Sequence, residues 1–123
     1  MSQSAPYVLL IDDDVDISEA IKAILIDEGY QISCVYNGKE ALEFLDNAKS
    51  NPSLILLDIM MPKMNGYEFR KEQLKDNRIN KIPTVVFSAA GKFEDEESYQ
   101  FTETIKKPLD LERLLKLVST HLR

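Results

Sequence analysis

Polar residues suited to holding a phosphoryl group follow four short apolar segments of the chain. These residues are Asp12, Asp13, Asp58, Ser88 and Lys107. Carboxylates brought together repel one another, and a hard divalent cation such as Mg²⁺ or Mn²⁺ relieves that repulsion. A hydroxyl and an ammonium group can contact phosphoryl oxygens, and a carboxylate can act as the nucleophile. The residue types therefore predict metal-assisted phosphoryl transfer, provided that the fold brings them to one place.

Each of these residues ends a predicted strand. The apolar segments are Tyr7–Ile11, residues 31–36, Leu54–Leu57, Thr84–Phe87 and a short strand around Thr104 and Ile105 that ends at Lys107. Continuous apolar runs, rather than alternating ones, are typical of strands buried on both faces of a parallel sheet. Taken singly, the polar residues have ordinary explanations, since Asp14 or Asp16 predicts a helix cap and a lone lysine is usually solvated.

Helical patterns separate the strands. Apolar residues recur at helical spacing after Asp14 until Gly29, after Asn37, over about 67–77, over a short stretch at 94–101, and from Leu111 to Leu122. Leu117 is predicted to face away from the core and is a candidate partner contact. Alternating strands and helices predict an α/β fold whose parallel sheet is covered on both faces. Ligands of such sheets bind at the carboxyl ends of the strands, where the polar residues should meet.

Composition narrows the function classes. The chain has 123 residues and a net charge of −6, which argues against direct contact with nucleic acid or an anionic membrane. Its longest apolar runs are about five residues, whereas a membrane helix needs roughly 20, and the first residues lack a signal-peptide pattern. A cytoplasmic location is therefore expected. Cys34 is the only cysteine, so no disulfide can form within the chain, and it is interpreted as a small buried apolar residue.

Four ordered motifs resemble those of response-regulator receiver domains, the CheY-like domains of two-component signalling. The motifs are Val8–Asp14, Leu54–Gly66, Val85–Ala90 and Lys107-Pro108, and the resemblance covers nearly the whole chain. It implies a doubly wound, flavodoxin-like sheet of five parallel strands in the order 2-1-3-4-5. It also implies one receiver domain over residues 1–123, with its core at about 6–122.

The resemblance implies a role for each site residue. Asp58 would be the phosphoacceptor, while Ser88 and Lys107 would contact the phosphoryl group. Mg²⁺ would be held by Asp13, by Asp58 and by the backbone carbonyl of Met60, with Asp12 acting through water. Pro108 would follow a cis peptide bond.

The same resemblance implies a signalling switch rather than an enzyme, one that assists its own phosphorylation and slow dephosphorylation. The donor would be a phosphohistidine on a sensor histidine kinase or a histidine phosphotransfer protein. The output would pass to a downstream protein through the predicted fourth helix, fifth strand and fifth helix. The protein would be a monomer or a weak dimer.

The sequence departs from the family pattern between the third and fourth motifs. Thr104 stands where the family usually has an aromatic residue, and Tyr99 or Phe101 is a candidate substitute. Ser88 and Lys107 are closer in sequence than usual, which predicts a short fourth helix. An acidic run at 94–97 suggests an unusual partner.

Two alternatives from other classes remain open. One is a binding module that has kept the receiver fold without the phosphorylation switch. The other is a phosphatase of the haloacid-dehalogenase type, whose Asp-x-Asp motif would make Asp12 the nucleophile, although that family has no place for the motif that begins at Leu54.

Overall fold

Five short parallel strands form the centre of the protein. The computed structural model describes residues 5–61, 64–88, 99–106 and 110–122, apart from the side chain of Ser88. The strands are β1 (Tyr7–Ile11), β2 (Gln31–Val35), β3 (Leu54–Asp58), β4 (Thr84–Ser88) and β5 (Glu103–Lys106). They pair in the order β2-β1-β3-β4-β5, and every pair is parallel. The predicted fold class and strand order are thus confirmed.

Helices connect these strands, and their ends follow local capping chemistry. The described helices are α1 (Val15–Asp27), α2 (Gly38–Asn47), α3 (Gly66–Lys75) and α4 (Leu111–His121). Asp14 is the N-cap of α1, and its side chain accepts a hydrogen bond from the Ile17 amide at 3.1 Å. Gly29 follows the end of α1 with φ +89°, a conformation that favours glycine. Of the short helix predicted at 94–101, residues 94–98 lie outside the described residues.

The hydrophobic core has one layer on each face of the sheet. Alternate residues of the strands point to opposite faces, so that Val8 and Leu10 join one cluster while Leu9 and Ile11 join the other. The first cluster is completed by α1 and α4, and the second by α2 and α3. Half-buried Cys34 packs against the first cluster, and burial raises the pKa of its thiol. Cys34 thus packs with apolar residues as predicted, but it is half-buried rather than buried.

Several predicted boundaries shift by one or two residues. β2 ends at Val35 instead of residue 36, because the Tyr36 amide donates a hydrogen bond to Glu40 Oε1 at 2.9 Å rather than to a neighbouring strand. α3 spans Gly66–Lys75 instead of 67–77, since Asp76 has extended backbone angles. β5 begins at Glu103 and is described as far as Lys106, whereas Lys107 lies outside the described residues.

Two leucines of α4 are oriented differently from the sequence prediction. Leu117 packs against the first core cluster instead of facing away from it, because it lies three residues after the buried Leu114 and shares its side of the helix. Leu111 is 48% exposed. It is the first residue of α4, and helical side chains point back towards the N-terminus, so its side chain projects beyond the helix.

Candidate functional site

Asp12 lies at the carboxyl end of β1, where the apolar segment stops. Its side chain is fully buried, and its Oδ1 atom accepts a hydrogen bond from the Asp14 amide at 2.9 Å. Its own amide donates to the Val35 carbonyl of β2 at 3.1 Å. These bonds fix the turn between β1 and α1. Asp13, the next residue, is exposed.

Asp58 is the last residue of β3, and its side chain is only 3% exposed. It lies beside Phe87 of β4, and the following amide, that of Ile59, donates to the Phe87 carbonyl at 3.3 Å. The Gly66 amide donates to the Ile59 carbonyl at 2.9 Å, so that α3 begins directly against the loop after Asp58. A Cβ atom at Gly66 would lie 2.7 Å from the Asp58 carbonyl oxygen. Glycine is therefore required where α3 meets this loop.

The structure brings three of the predicted site residues together. Carboxylate oxygens of Asp12, Asp13 and Asp58 lie within 4.8 Å of one another, with Asp12 and Asp58 buried and Asp13 exposed. Two buried carboxylates and a third at the surface bring three negative charges close together, which favours a bound cation. All three donors are hard oxygen ligands, so the cluster fits Mg²⁺ or Mn²⁺ rather than a softer ion.

The roles predicted for the other site residues remain predictions. Met60 is described and its side chain is 67% exposed, but its proposed role belongs to its backbone carbonyl. Ser88 ends β4, next to Lys106 of β5, and its side chain lies outside the described part of the chain. Lys107 and Pro108 also lie outside the described residues, as does the acidic run at 94–97.

Sequence reasoning missed a buried cation on α3. Arg70 is only 4% exposed, and burial lowers the pKa of its guanidinium group from the usual value. Its hydrogen-bond acceptors include Gln73 Oε1 at 2.8 Å and Thr84 Oγ1 at 3.0 Å. The sequence contains only a weak indication of a buried Arg70, which is that polar residues occupy positions of α3 where an apolar stripe would otherwise be expected.

Tyr99 and Phe101, the candidates to replace the aromatic residue that the family usually has at position 104, both lie against α3. Tyr99 is buried, and its ring centroid is 4.7 Å from that of Tyr67 and 5.7 Å from that of Phe101. The two rings thus form a cluster with the first turn of α3. That one of these two rings takes over the role of the family's aromatic residue remains a prediction.

Comparison with known proteins agrees with this geometry. The sequence profile of the response regulator receiver domain matches residues 8–119. Response regulator Rre1 of Synechocystis is 32% identical in an alignment of 115 residues that covers 90% of this chain and 49% of that protein. The chain spans about half the length of Rre1 and of the first curated relatives that it matches.

Solved structures show the same resemblance. The chemotaxis response regulator CheY4 of Vibrio cholerae superimposes with a TM-score of 0.84 and 26% identity, covering 97% of this chain and 100% of CheY4. The receiver domain of the Francisella response regulator 1452 gives a TM-score of 0.83 and 28% identity, covering 95% and 96% of the two chains. Among the described residues, no helix is both long and apolar enough to cross a membrane.

Proposed function

The chain belongs to the response-regulator receiver family of two-component signalling, and from that premise we propose that it is a switch phosphorylated on Asp58. The observation that carries the proposal is the cluster of Asp12, Asp13 and Asp58, whose carboxylate oxygens lie within 4.8 Å of one another at the carboxyl edge of the sheet. Of the three, Asp58 stands at the end of the central strand β3, between β1 and β4.

A divalent cation fits this cluster, and receiver domains typically bind Mg²⁺ at an acidic pocket. We assign its protein ligands to Asp13, Asp58 and the Met60 carbonyl, with Asp12 acting through water. When bound, Mg²⁺ would neutralise negative charge on the carboxylates and on phosphoryl oxygens. Asp12 Oδ1 accepts a hydrogen bond from the Asp14 amide, which holds this carboxylate in place beside the proposed ligands.

The transfer step needs only a nucleophile, a leaving group and charge neutralisation. A carboxylate oxygen of Asp58 forms a bond to phosphorus while the bond from phosphorus to the donor breaks. With a phosphohistidine donor the leaving group is the imidazole, and with acetyl phosphate it is acetate. We propose that Ser88 and Lys107 contact the transferred phosphoryl oxygens from the ends of β4 and β5.

The donor and the output are proposed to be proteins. Receiver domains interact with histidine kinases or histidine phosphotransfer proteins. The exposed apolar residues Val15 and Met60 come shortly after the acidic residues at the carboxyl ends of β1 and β3. These apolar groups suit a protein surface that presents a phosphohistidine. The net charge of −6 also favours protein partners over nucleic acid for this domain.

Phosphorylation would act by changing charge at the strand ends. A phosphoryl group adds about −1.5 to −2 charges, and an arrangement of the surface formed by the helix predicted at 94–101, β5 and α4 that binds it better becomes more populated. We propose that this surface signals to a downstream protein and that the domain core comprises residues of about 6–122.

Intact-mass measurement after incubation with acetyl phosphate tests this function. We expect the wild-type protein to gain the mass of one phosphoryl group in the presence of Mg²⁺ and to gain at least tenfold less when Mg²⁺ is chelated, because unneutralised carboxylates repel the donor. If the wild-type protein gains no phosphoryl group in the presence of Mg²⁺, from either acetyl phosphate or phosphohistidine donors, the result would support the alternative of a binding module without a phosphorylation switch.

A further inference from the structure

A buried guanidinium group fastens the chain segment before β5 to α3. Arg70 Nε donates to the Tyr99 carbonyl at 2.7 Å, and Arg70 Nη2 donates to the Gln100 carbonyl at 2.6 Å. Its remaining bonds go to Gln73 and Thr84. A buried cation is tolerated only where its donors find acceptors, and here two of these acceptors are consecutive backbone carbonyls. Arg70 therefore holds residues 99 and 100 by their backbone.

The backbone held in this way has an unfavourable conformation. Gln100 has φ +50°, and it is the only residue other than glycine with a positive φ among the described residues. Its side chain is exposed, so no packing of its own explains the conformation. Such backbone persists where surrounding contacts enforce it, and it is enriched at active sites, ligand clamps and switch regions. Two residues after Gln100, the Thr102 amide donates to the Thr84 carbonyl at 2.8 Å, so the backbone is held there as well.

Aromatic packing joins the same segment to the first turn of α3. Tyr67 contacts the Tyr99 ring, and the Phe101 ring lies 5.6 Å from Arg70 Cζ in a cation–π geometry. Tyr67 follows Gly66, the residue that has no room for a Cβ atom against the Asp58 carbonyl. Within its first five residues α3 thus contacts the loop after Asp58 through Gly66 and the segment before β5 through Tyr67 and Arg70.

We propose that Arg70 is a clamp that holds residues 99–101 in one of two arrangements, and that α3 couples this clamp to the state of Asp58. In the second arrangement Gln100 leaves the left-handed conformation and its carbonyl leaves Arg70. The entry into β5 then changes, and with it the surface that β5 forms with α4. The coupling rests on the proposed phosphorylation of Asp58, whereas the clamp itself does not.

Two substitutions at Gln100 shift the clamp in opposite directions without touching α3. Gln100→Gly removes the penalty of positive φ and favours the clamped arrangement, whereas Gln100→Val increases that penalty and favours release. The measured quantity is the affinity for beryllofluoride, a phosphoryl analogue, in the presence of Mg²⁺. Because linkage is reciprocal, we expect the two variants to move this affinity in opposite directions from the wild type, each by about three- to fivefold.

Hydrogen exchange tests the clamp without any ligand. We expect Arg70→Met to speed the exchange of amides at 99–106 about tenfold or more, while the matched change at the exposed Arg78 leaves them as in the wild type. Unchanged exchange at these amides in a folded Arg70→Met protein would overturn the clamp. If that variant does not fold, faster exchange in Gln100→Val than in Gln100→Gly decides the same point.

The outcomes separate the coupling from the proposed function. If the wild-type protein binds beryllofluoride and both Gln100 variants bind it with the wild-type affinity, the coupling alone is overturned. The same conclusion follows if both variants change the affinity in the same direction. A wild-type protein that binds no beryllofluoride would overturn the proposed function and the coupling together, while hydrogen exchange still decides whether the clamp exists.

Discussion

Gly66→Ala is expected to lower the free energy of unfolding by about 3 kcal/mol and to reduce phosphoryl uptake by at least about tenfold. The new Cβ atom would lie 2.7 Å from the Asp58 carbonyl oxygen and 2.9 Å from Ile59 Cα. Both are backbone atoms, so the overlap cannot be relieved by rotating a side chain. Either α3 or the loop after Asp58 must move, and either movement displaces the proposed nucleophile. Urea unfolding and intact mass after acetyl phosphate treatment measure the two effects.

Gly29→Ala is the matched control for this substitution. Gly29 has φ +89°, and a Cβ atom added there would meet no other atom within 4 Å, so its replacement costs about 1 kcal/mol through backbone strain alone. It lies beyond the end of α1, away from the acidic cluster. We expect this variant to be less stable than the wild type and to take up phosphoryl groups normally. Equal losses of uptake in both variants would mean that uptake follows overall stability and not the position of Asp58.

Mg²⁺ is expected to stabilise the wild-type protein by about 2.7 kcal/mol at a concentration of about 100 times its dissociation constant. For a chain of this length the melting temperature would rise by roughly 10 °C. The cause is the acidic cluster: Asp12, Asp13 and Asp58 repel one another, and a cation bound only by the folded state relieves that repulsion. Thermal unfolding with and without a chelator measures the shift.

Asp13→Asn is expected to abolish most of this shift and to raise the melting temperature measured without Mg²⁺. It removes one of three neighbouring negative charges and one proposed ligand. Asp27→Asn makes the same change of charge at the opposite end of α1, and we expect it to keep the full Mg²⁺ response. A Mg²⁺ response that survives Asp13→Asn undiminished would show that the stabilisation arises elsewhere.

The sequence was sufficient to predict the sheet and the acidic residues because both depend on local pattern. β1 and β3 are continuous apolar runs that end at acidic residues, and the strand-end rule for parallel sheets then placed Asp12, Asp13 and Asp58 together. The strand order followed from the family resemblance. Local pattern and family resemblance together thus predicted which three carboxylates lie close to one another.

The interior of α3 could not be predicted in the same way. Its buried positions include Arg70 and Gln73, whose polar groups are satisfied by partners such as Thr84 and the carbonyls of Tyr99 and Gln100. Those partners are 11 to 30 residues away in sequence, so a local window contains no sign of them. The orientation of Leu117 was missed for a related reason, since the side of a helix that meets the sheet is set by packing.

Locating the phosphoryl group in the wild-type protein tests the central claim most directly. The protein would be treated with acetyl phosphate and Mg²⁺, reduced with borohydride to convert an acyl phosphate to an alcohol, and mapped by peptide mass spectrometry. We predict modification at Asp58 alone, and none in Asp58→Asn. Modification at Asp12, or uptake that persists in Asp58→Asn, would contradict the account and would assign the nucleophile to another carboxylate of the cluster.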